Sequence, residues 1–134
     1  MTPEEAFQHV NSTHRYQKEP PGRDHWLTPA EFDAAGQGDC EDFAIAYYFA
    51  VGGEAARATL AWCLIPESHM VCFVYDSQEA PLVLDVMADV PYRLGENRGM
   101  AVVVEFDETI QHVGRYFSTV NIAPWLDALE RMGN

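Results

Sequence analysis

The pattern of apolar residues changes at Gly52-Gly53, and this change limits the fold more than any other feature of the sequence. Before the two glycines, apolar residues recur at helical spacing. After them, runs rich in Val, Leu, Ile, Phe, Trp and Tyr alternate with short turn-like clusters. Short connections favour antiparallel strand pairing. Helices followed by strands therefore predict an α+β fold, in which a helical layer packs on an antiparallel sheet.

Three helices are predicted in the first part of the chain. The stretches Thr2-Pro3-Glu4-Glu5 and Thr28-Pro29-Ala30-Glu31 each place a Thr at the N-cap, a Pro at the first helical position and a Glu at the third, which is a capping box. The first predicts a helix over about 3–11, and the second a short helix that ends near Gly36-Gln37-Gly38. A third helix, over about 40–51, is apolar on almost every side, so we expect it to be buried.

Strands and a closing helix are predicted in the second part. Between the first two helices, the polar stretch 12–27 is rich in Pro and Gly and predicts a loop. Trp26 at its end is too large and apolar to be left in solvent, so we expect it to pin this loop to the core. The pattern over 112–120 is ambiguous. The remaining predicted elements are strands at 57–65, 69–76, 82–87 and 101–106 and a helix at 124–132.

Length and charge limit the partners of the chain. Its 134 residues suit one domain, which we place at residues 1–134. The 8 Lys and Arg against 21 Asp and Glu give a formal net charge of −13, which repels phosphate backbones and anionic lipids and leaves cations and neutral or basic protein segments as partners. No secretory signal or apolar run of membrane-spanning length is present, so the chain as written is expected in the cytoplasm, without membrane insertion.

Cys40 stands out among the three cysteines. Cys63 and Cys72 lie in strongly apolar stretches and are expected to be buried small hydrophobes. Cys40 instead follows the turn that ends at Gly38, at the first turn of the buried helix, where the helix dipole and unpaired amides favour a thiolate. The glycines would let a substrate backbone approach, and helix amides would stabilise an oxyanion. The alternative is a small hydrophobe at a helix start, flanked by ordinary capping acids.

A nucleophilic thiol needs a base, and the base needs an orienting group. His69 opens one predicted strand, and Asp85 is the only carboxylate in the apolar stretch 81–87. If Val71 lies opposite Asp85, His69 lies diagonally to Asp85 on the same face, within side-chain reach. Each residue alone also fits a structural role, as a strand-end histidine or a solvated edge acid. Together with Cys40 they predict a Cys-His-Asp triad and an enzyme.

Two stretches carry a family resemblance. Residues 26–32 and 36–46, the latter with the run Gly-Asp-Cys-Glu-Asp-Phe-Ala, closely resemble the bacterial transglutaminase-like cysteine proteinases, which include the LapG-type proteases that cleave surface adhesins. Residues 69–71 and 81–85 resemble the histidine and aspartate strands of that family. The similarity extends over about residues 11–90. The chain departs from the usual pattern at Val86, where members commonly carry Asn.

The resemblance implies a papain/transglutaminase-like fold and a protein or peptide substrate. It implies Cys40 as the nucleophile, His69 as general base and acid, and Asp85 as the residue that orients His69. It also makes the periplasm an alternative location. We expect Trp26 and Gly38 to lie at the substrate-binding part of the site.

Three acids surround the proposed nucleophile. Asp39, Glu41 and Asp42 would raise the pKa of the Cys40 thiol by like-charge repulsion. A bound cation would remove this conflict, and carboxylates with backbone carbonyls suit Ca²⁺. The resemblance points the same way, because LapG-type proteases use acids around this motif to bind calcium. The alternative is that Asp39 caps the helix while the other two complement its dipole.

These observations favour a cysteine peptidase or amidase, with Ca²⁺ as a candidate cofactor. One alternative is transglutaminase-type acyl transfer, in which an amine replaces water as the acceptor. The other is a catalytically silent module of the same fold that binds calcium or a protein. The sequence contains no Cys-x-x-Cys pair, no His-Glu-x-x-His motif and no phosphate-binding glycine loop, so no organic cofactor is expected.

Overall fold

Helices and two sheets make up the described part of the chain. The computed structural model describes residues 1–18, 25–65, 67–96, 101–109 and 123–133. Its helices are α1 (Pro3–Thr13), α2 (Pro29–Ala35), α3 (Cys40–Val51) and α4 (Ala123–Arg131), with a short 3-10 helix at Gly53–Ala56. Its strands are β1 (Arg15–Tyr16), β2 (Gln37–Gly38), β3 (Ala58–Ile65), β4 (Glu67–Val74), β5 (Leu82–Leu84), β6 (Tyr92–Arg93) and β7 (Ala101–Phe106).

The larger sheet has the strand order β6-β5-β4-β3-β7 with antiparallel neighbours. Its longest pairing joins β3 and β4, from Ala58 opposite Val74 to Ile65 opposite Glu67. The helices pack on this sheet, which confirms the predicted α+β class. None of the helices in the described part of the chain combines the length and apolar character that crossing a membrane requires.

The predicted capping boxes start the first two helices. Thr2 Oγ1 accepts the N–H of Glu5 at 3.1 Å, and the Glu5 carboxylate accepts the N–H of Thr2 at 2.8 Å. Thr28 and Glu31 make the same pair of bonds at the start of α2, at 3.2 and 2.9 Å. Each box satisfies two backbone donors that the helix leaves without partners. The apolar face of α1 is buried as predicted, at Ala6, Phe7 and Val10.

Helix α3 forms the centre of the core. It packs against α1, α2, β3 and β4, and the predicted burial on several sides is confirmed. Met70 and Cys72 of β4 face this helix-side core, whereas Val71 and Phe73 belong to a second cluster with Val83 and Tyr92. This alternation follows from the period-two geometry of a strand. Cys63 and Cys72 are fully buried, as predicted.

Several element boundaries differ from the sequence-based prediction. The predicted loop 12–27 contains the end of α1 and the strand β1, which pairs in parallel with β2. The strand predicted at 69–76 begins and ends two residues earlier, as β4 (Glu67–Val74). The predicted strand 82–87 ends at Leu84, and the ambiguous segment 112–120 lies outside the described residues.

Strand β5 ends where the side chain of Asp85 bonds to the following backbone. Asp85 Oδ1 accepts the N–H of Met87 at 2.9 Å, and the Asp85 carbonyl accepts the N–H of Ala88 at 3.0 Å. An Asp side chain that bonds two residues ahead is typical of a turn. Asp85 therefore lies just beyond the strand rather than within it.

Gly38 is required by packing. A Cβ at this position would lie 2.5 Å from Asp42 Oδ2, 2.8 Å from Asp42 Cβ and 2.8 Å from Phe32 Cε1. We expect Gly38→Ala to lower the free energy of unfolding by about 3 kcal/mol, because overpacking a tight site forces its neighbours to move. Urea denaturation measures this loss.

Gly36→Ala is the matched control for this substitution. Gly36 has φ 71°, and a Cβ on this residue would meet no atom within 4 Å, so only backbone strain acts there. The expected loss is about 1 kcal/mol. An equal or larger loss for Gly36→Ala than for Gly38→Ala would contradict the packing argument.

Candidate active site

Cys40 lies at the first position of α3, with Asp39 at the N-cap. It is partly buried, and the backbone N–H of Met70, the residue after His69, lies near enough to its sulfur to lower the pKa of the thiol. Its thiol lies 3.5 Å from Glu41 Oε2. The start of α3 is therefore held against the strand that carries His69.

The surroundings of Cys40 favour the neutral thiol. Burial is the largest cause that raises its pKa, and the charge of Glu41 raises the pKa further. The Met70 N–H acts in the opposite direction, because it stabilises the thiolate. Burial and the acid outweigh the backbone donor. The thiol therefore needs a base or a cation nearby before it can act as a nucleophile.

His69 and Asp85 form a hydrogen bond of 2.6 Å between Nε2 and Oδ1. Cys72 pairs with Leu84 in the β4–β5 ladder, and one further step of this register places Val71 opposite Asp85. This is the register that brings the two side chains to one face. Since Nε2 is committed to Asp85, Nδ1 is the ring nitrogen left to exchange a proton.

Asp85 is buried and fully partnered. Besides His69, Oδ1 accepts the Met87 N–H, and Oδ2 accepts the hydroxyl of Tyr92 at 2.9 Å. Burial by itself would raise the pKa of this carboxyl, but the hydrogen bond and charge of His69, helped by Met87 and Tyr92, hold its pKa below the usual value. Val86, the next residue, is half-buried against the helix-side core.

The structure thus brings His69 and Asp85 into direct contact and places Cys40 against the backbone beside His69. Among the hydrogen bonds of the described residues, none joins the Cys40 sulfur to the His69 ring. Catalytic hydrogen bonds are often long or poorly aligned before substrate binds, so this geometry is compatible with a thiol–imidazole pair.

The three acids of the motif occupy different environments. Asp42 Oδ1 accepts the N–H of Leu27 at 2.9 Å, and Oδ2 accepts the N–H of Asp39 at 3.1 Å. Burial raises the pKa of Asp42 to about 6. Burial, together with a hydrogen bond and the charge of Glu41, raises the pKa of Asp39 to about 8. Asp42 is therefore a structural brace, because its carboxylate holds the backbone of Leu27 and of Asp39. Asp39 and Glu41 form a carboxylate pair, in which Glu41 disfavours the charged form of Asp39.

The fit of this cluster to calcium is partial. Asp39 and Glu41 are oxygen donors, and burial together with the nearby Glu41 carboxylate disfavours the ionised form of Asp39. A hard cation bound between the two side chains would relieve this crowding. Both oxygens of Asp42 already accept backbone N–H groups. Within the described ranges, no group of three or more His, Cys, Asp or Glu side chains is arranged to hold a metal ion. Asp39 and Glu41 thus fit as donors, and Asp42 does not in this arrangement.

Trp26 and Gly38 both lie beneath the surface. Trp26 is 3% exposed and stacks between Trp62 and Phe106, with ring centroids 6.2 and 6.3 Å away. It holds the segment before α2 to the core, as predicted, and its carbonyl accepts a hydrogen bond from Arg131. Gly38 is buried against Asp42. Both residues are therefore buried, and their part in substrate binding stays a prediction.

Two tyrosines of the site carry no signal in the sequence. Tyr16 pairs with Gly38 through β1 and β2. The residue is exposed, but partial desolvation of its hydroxyl, followed by the nearby Cys40 and Asp39, raises its pKa to about 12. Tyr92 bonds to Asp85 from seven residues away. Tyr16 lies in the stretch 12–27, which the sequence predicts to be a loop. Tyr92 follows a turn, and the spacing of apolar residues does not predict the geometry of a turn.

Comparisons with known proteins find solved structures that are similar to this chain. A scan of protein-family models matches none, and a search of curated proteins finds no match. Legionella pneumophila LapG superimposes with a TM-score of 0.77 and 26% identity, over 97% of this chain and 76% of that one. Its calcium-bound structure gives 0.74 and 29%, over 95% and 78%, and its EGTA-treated structure gives 0.78 and 25%, over 97% and 77%.

LapG is a transglutaminase-like cysteine protease, and the match extends over nearly the whole of this chain. Besides the agreement in fold, this chain carries the Gly-Asp-Cys-Glu-Asp-Phe-Ala run and a hydrogen bond between His69 in β4 and Asp85, which directly follows β5. The resemblance to the LapG-type transglutaminase-like cysteine proteases that the sequence indicated is therefore confirmed.

Proposed function

We propose that the chain is a cysteine peptidase or amidase that cleaves an amide bond in a protein or peptide. Cys40 is the nucleophile, His69 the general base and acid, and Asp85 the group that orients His69. The observation that carries this proposal is the 2.6 Å hydrogen bond between His69 Nε2 and Asp85 Oδ1. The backbone N–H of the next residue, Met70, lies near the Cys40 sulfur. The relatives found by structure are cysteine proteases, which supports the same class.

The reaction follows from these positions. Nδ1 of His69 accepts the proton of the Cys40 thiol, and the thiolate attacks the amide carbonyl carbon. The carbonyl π electrons move to oxygen, and backbone N–H groups at the start of α3 stabilise the oxyanion because the helix leaves them unpaired. His69 then protonates the leaving amine as the C–N bond breaks. Water, deprotonated by His69, hydrolyses the thioester and regenerates the thiol.

Asp85 contributes through the imidazolium. Its carboxylate is buried and held ionised, so it stabilises the positive charge that His69 carries after taking the thiol proton. This offsets the cost that burial and Glu41 impose on the Cys40 thiolate. The thiolate is then favoured only as a pair with the imidazolium.

Calcium enters the proposal through Asp39 and Glu41. One of the LapG structures is calcium-bound, and another is of the EGTA-treated protein. In this chain Asp39 and Glu41 would hold the cation, which would neutralise the charge that opposes the Cys40 thiolate. Asp42 would remain the brace between Leu27 and Asp39.

Alkylation by iodoacetamide tests the triad without a known substrate. We expect Cys40 at pH 7 to react faster than free cysteine, and His69→Ala to slow this reaction by about 100-fold, because general-base assistance is worth at least that much. Asp85→Asn should slow it less. Mass spectrometry of the alkylated peptide gives the rate for each cysteine.

The buried Cys63 and Cys72 provide internal controls, since neither should react in the folded protein. Cys40→Ala removes the signal. A Cys40 that reacts no faster than free cysteine, both with and without Ca²⁺, would contradict the enzyme proposal and favour a silent binding module. Trapping of an added primary amine in the product would assign acyl transfer instead of hydrolysis.

The carboxylate pair predicts a pH-dependent stability. Asp39 has a folded-state pKa of about 8, well above its value of about 3.9 in an unfolded chain, so folding favours its neutral form. Its contribution to the free energy of unfolding is fully present below about pH 4 and is lost as pH rises through about 8. We expect Asp39→Asn to flatten the decline in stability over this range, measured by urea denaturation at several pH values.

Calcium should act on the same residues. Added Ca²⁺ is expected to raise the Tm more at pH 8 than at pH 5, and EGTA should reverse the rise, because the ion binds the ionised carboxylates. Asp39→Asn and Glu41→Gln should reduce the rise. Glu79→Gln, which changes an exposed carboxylate elsewhere, is the control. A rise that is equal in all variants would place the ion elsewhere.

A further inference from the structure

We propose that Tyr92 is a positioning residue for the active site, which fixes the Asp85 carboxylate so that Oδ1 faces His69. This inference rests on the proposed function, because Asp85 matters for catalysis only if His69 does. Tyr92 does not itself contact reacting atoms. It acts through one hydroxyl group, which bonds the carboxylate oxygen that the imidazole does not bond.

The division of hydrogen bonds at Asp85 supports this role. Oδ1 accepts from His69 at 2.6 Å and from the Met87 N–H at 2.9 Å, whereas Oδ2 accepts from the Tyr92 hydroxyl at 2.9 Å. The terminal torsion of an Asp side chain is broad and roughly two-fold, so bonds to one oxygen alone leave the carboxylate free to turn. A donor on the second oxygen fixes its plane.

The fold holds the Tyr92 ring rigidly. Tyr92 opens β6 and pairs with Val83, two residues before Asp85 in the chain. Its ring is buried in the second cluster with Val71 and Phe73. An aromatic ring has few rotatable bonds, so packing on this face determines where its hydroxyl lies. The turn that ends β5 at Asp85 thus returns the chain so that Tyr92 reaches the same carboxylate.

The chemistry of the hydroxyl suits the task. It is a neutral donor, so it stabilises the ionised Asp85 without competing as a charge with the His69 imidazolium. A donor to a buried carboxylate also keeps that group from taking up a proton. Tyr92→Phe would keep the aromatic ring and would remove the hydroxyl that makes this bond.

Tyr75 offers a matched control. Its hydroxyl donates to the buried Glu105 carboxylate, at 2.8 and 2.7 Å to the two oxygens, and its ring packs against the same second cluster. Tyr75→Phe and Tyr92→Phe therefore remove the same kind of bond from the same face of the sheet. Only the second acceptor belongs to the proposed triad.

Two measurements test the inference. NMR measures how fast the His69 Nε2 proton exchanges with water. In Tyr92→Phe this exchange should be about tenfold faster, because a carboxylate that can turn breaks its bond to the proton more often. A tenfold change corresponds to the loss of one hydrogen bond to a charged group. The rate at which Cys40 reacts with iodoacetamide at pH 7 should fall about fivefold, because the loss of the same hydrogen bond leaves His69 less well oriented. Tyr75→Phe should leave both values within about twofold of the original protein while losing comparable stability in urea.

The outcomes separate the two proposals. If the His69 proton exchanges at the same rate in Tyr92→Phe as in the original protein, Tyr92 has no positioning role. The role is also excluded if Tyr92→Phe and Tyr75→Phe change proton exchange and Cys40 alkylation equally, in proportion to the stability that each variant loses. If Cys40 in the original protein reacts no faster than free cysteine, the proposed function fails, and the exchange measurement still decides whether Tyr92 fixes Asp85.

Discussion

The Asp42 carboxylate joins the parts of the site that would otherwise be separate. It is 1% exposed, and its two oxygens accept the backbone N–H groups of Leu27 and Asp39. The first bond ties the segment before α2 to α3, and the second fixes the backbone that precedes Cys40. Gly38 lacks a side chain because Asp42 occupies the space that a Cβ would need. The acidic motif thus stabilises the local backbone through Asp42, and the position of the Cys40 thiol depends on these bonds.

The same motif creates an electrostatic conflict at Cys40. The helix start and the Met70 N–H favour a thiolate, but burial and Glu41 raise its pKa by more. A thiol in this position is inert unless a positive charge comes close. In the proposed mechanism the buried His69–Asp85 pair would supply that charge, and a cation bound by Asp39 and Glu41 would add to it. His69 lies in β4 and Asp85 directly follows β5, so the pair that would activate Cys40 forms only when the sheet is folded.

Local chemistry explains what the sequence could predict. The Thr-Pro-x-Glu capping boxes mark the starts of α1 and α2, and the apolar run over 40–51 marks a buried helix, because these signals act over a few residues. The β4–β5 register followed from placing His69 and Asp85 on one face. The end of β5 at Asp85 was missed, since it depends on a side-chain bond to the Met87 backbone. Tyr16 and Tyr92 reach the site only through β1 and β6, two-residue strands that carry no periodicity.

Strand β6 shows why so short an element matters. Without it, β5 would be the edge of the sheet, and Asp85 at its end would be solvated, so that water would screen its interaction with His69. With β6 in place, Asp85 is 5% exposed and a hydroxyl from β6 replaces the water at Oδ2. The lower local dielectric strengthens the bond to His69, and the pKa of Asp85 stays low because every lost water is replaced by a protein donor. Two residues of strand therefore convert an edge carboxylate into a buried, ionised and oriented one.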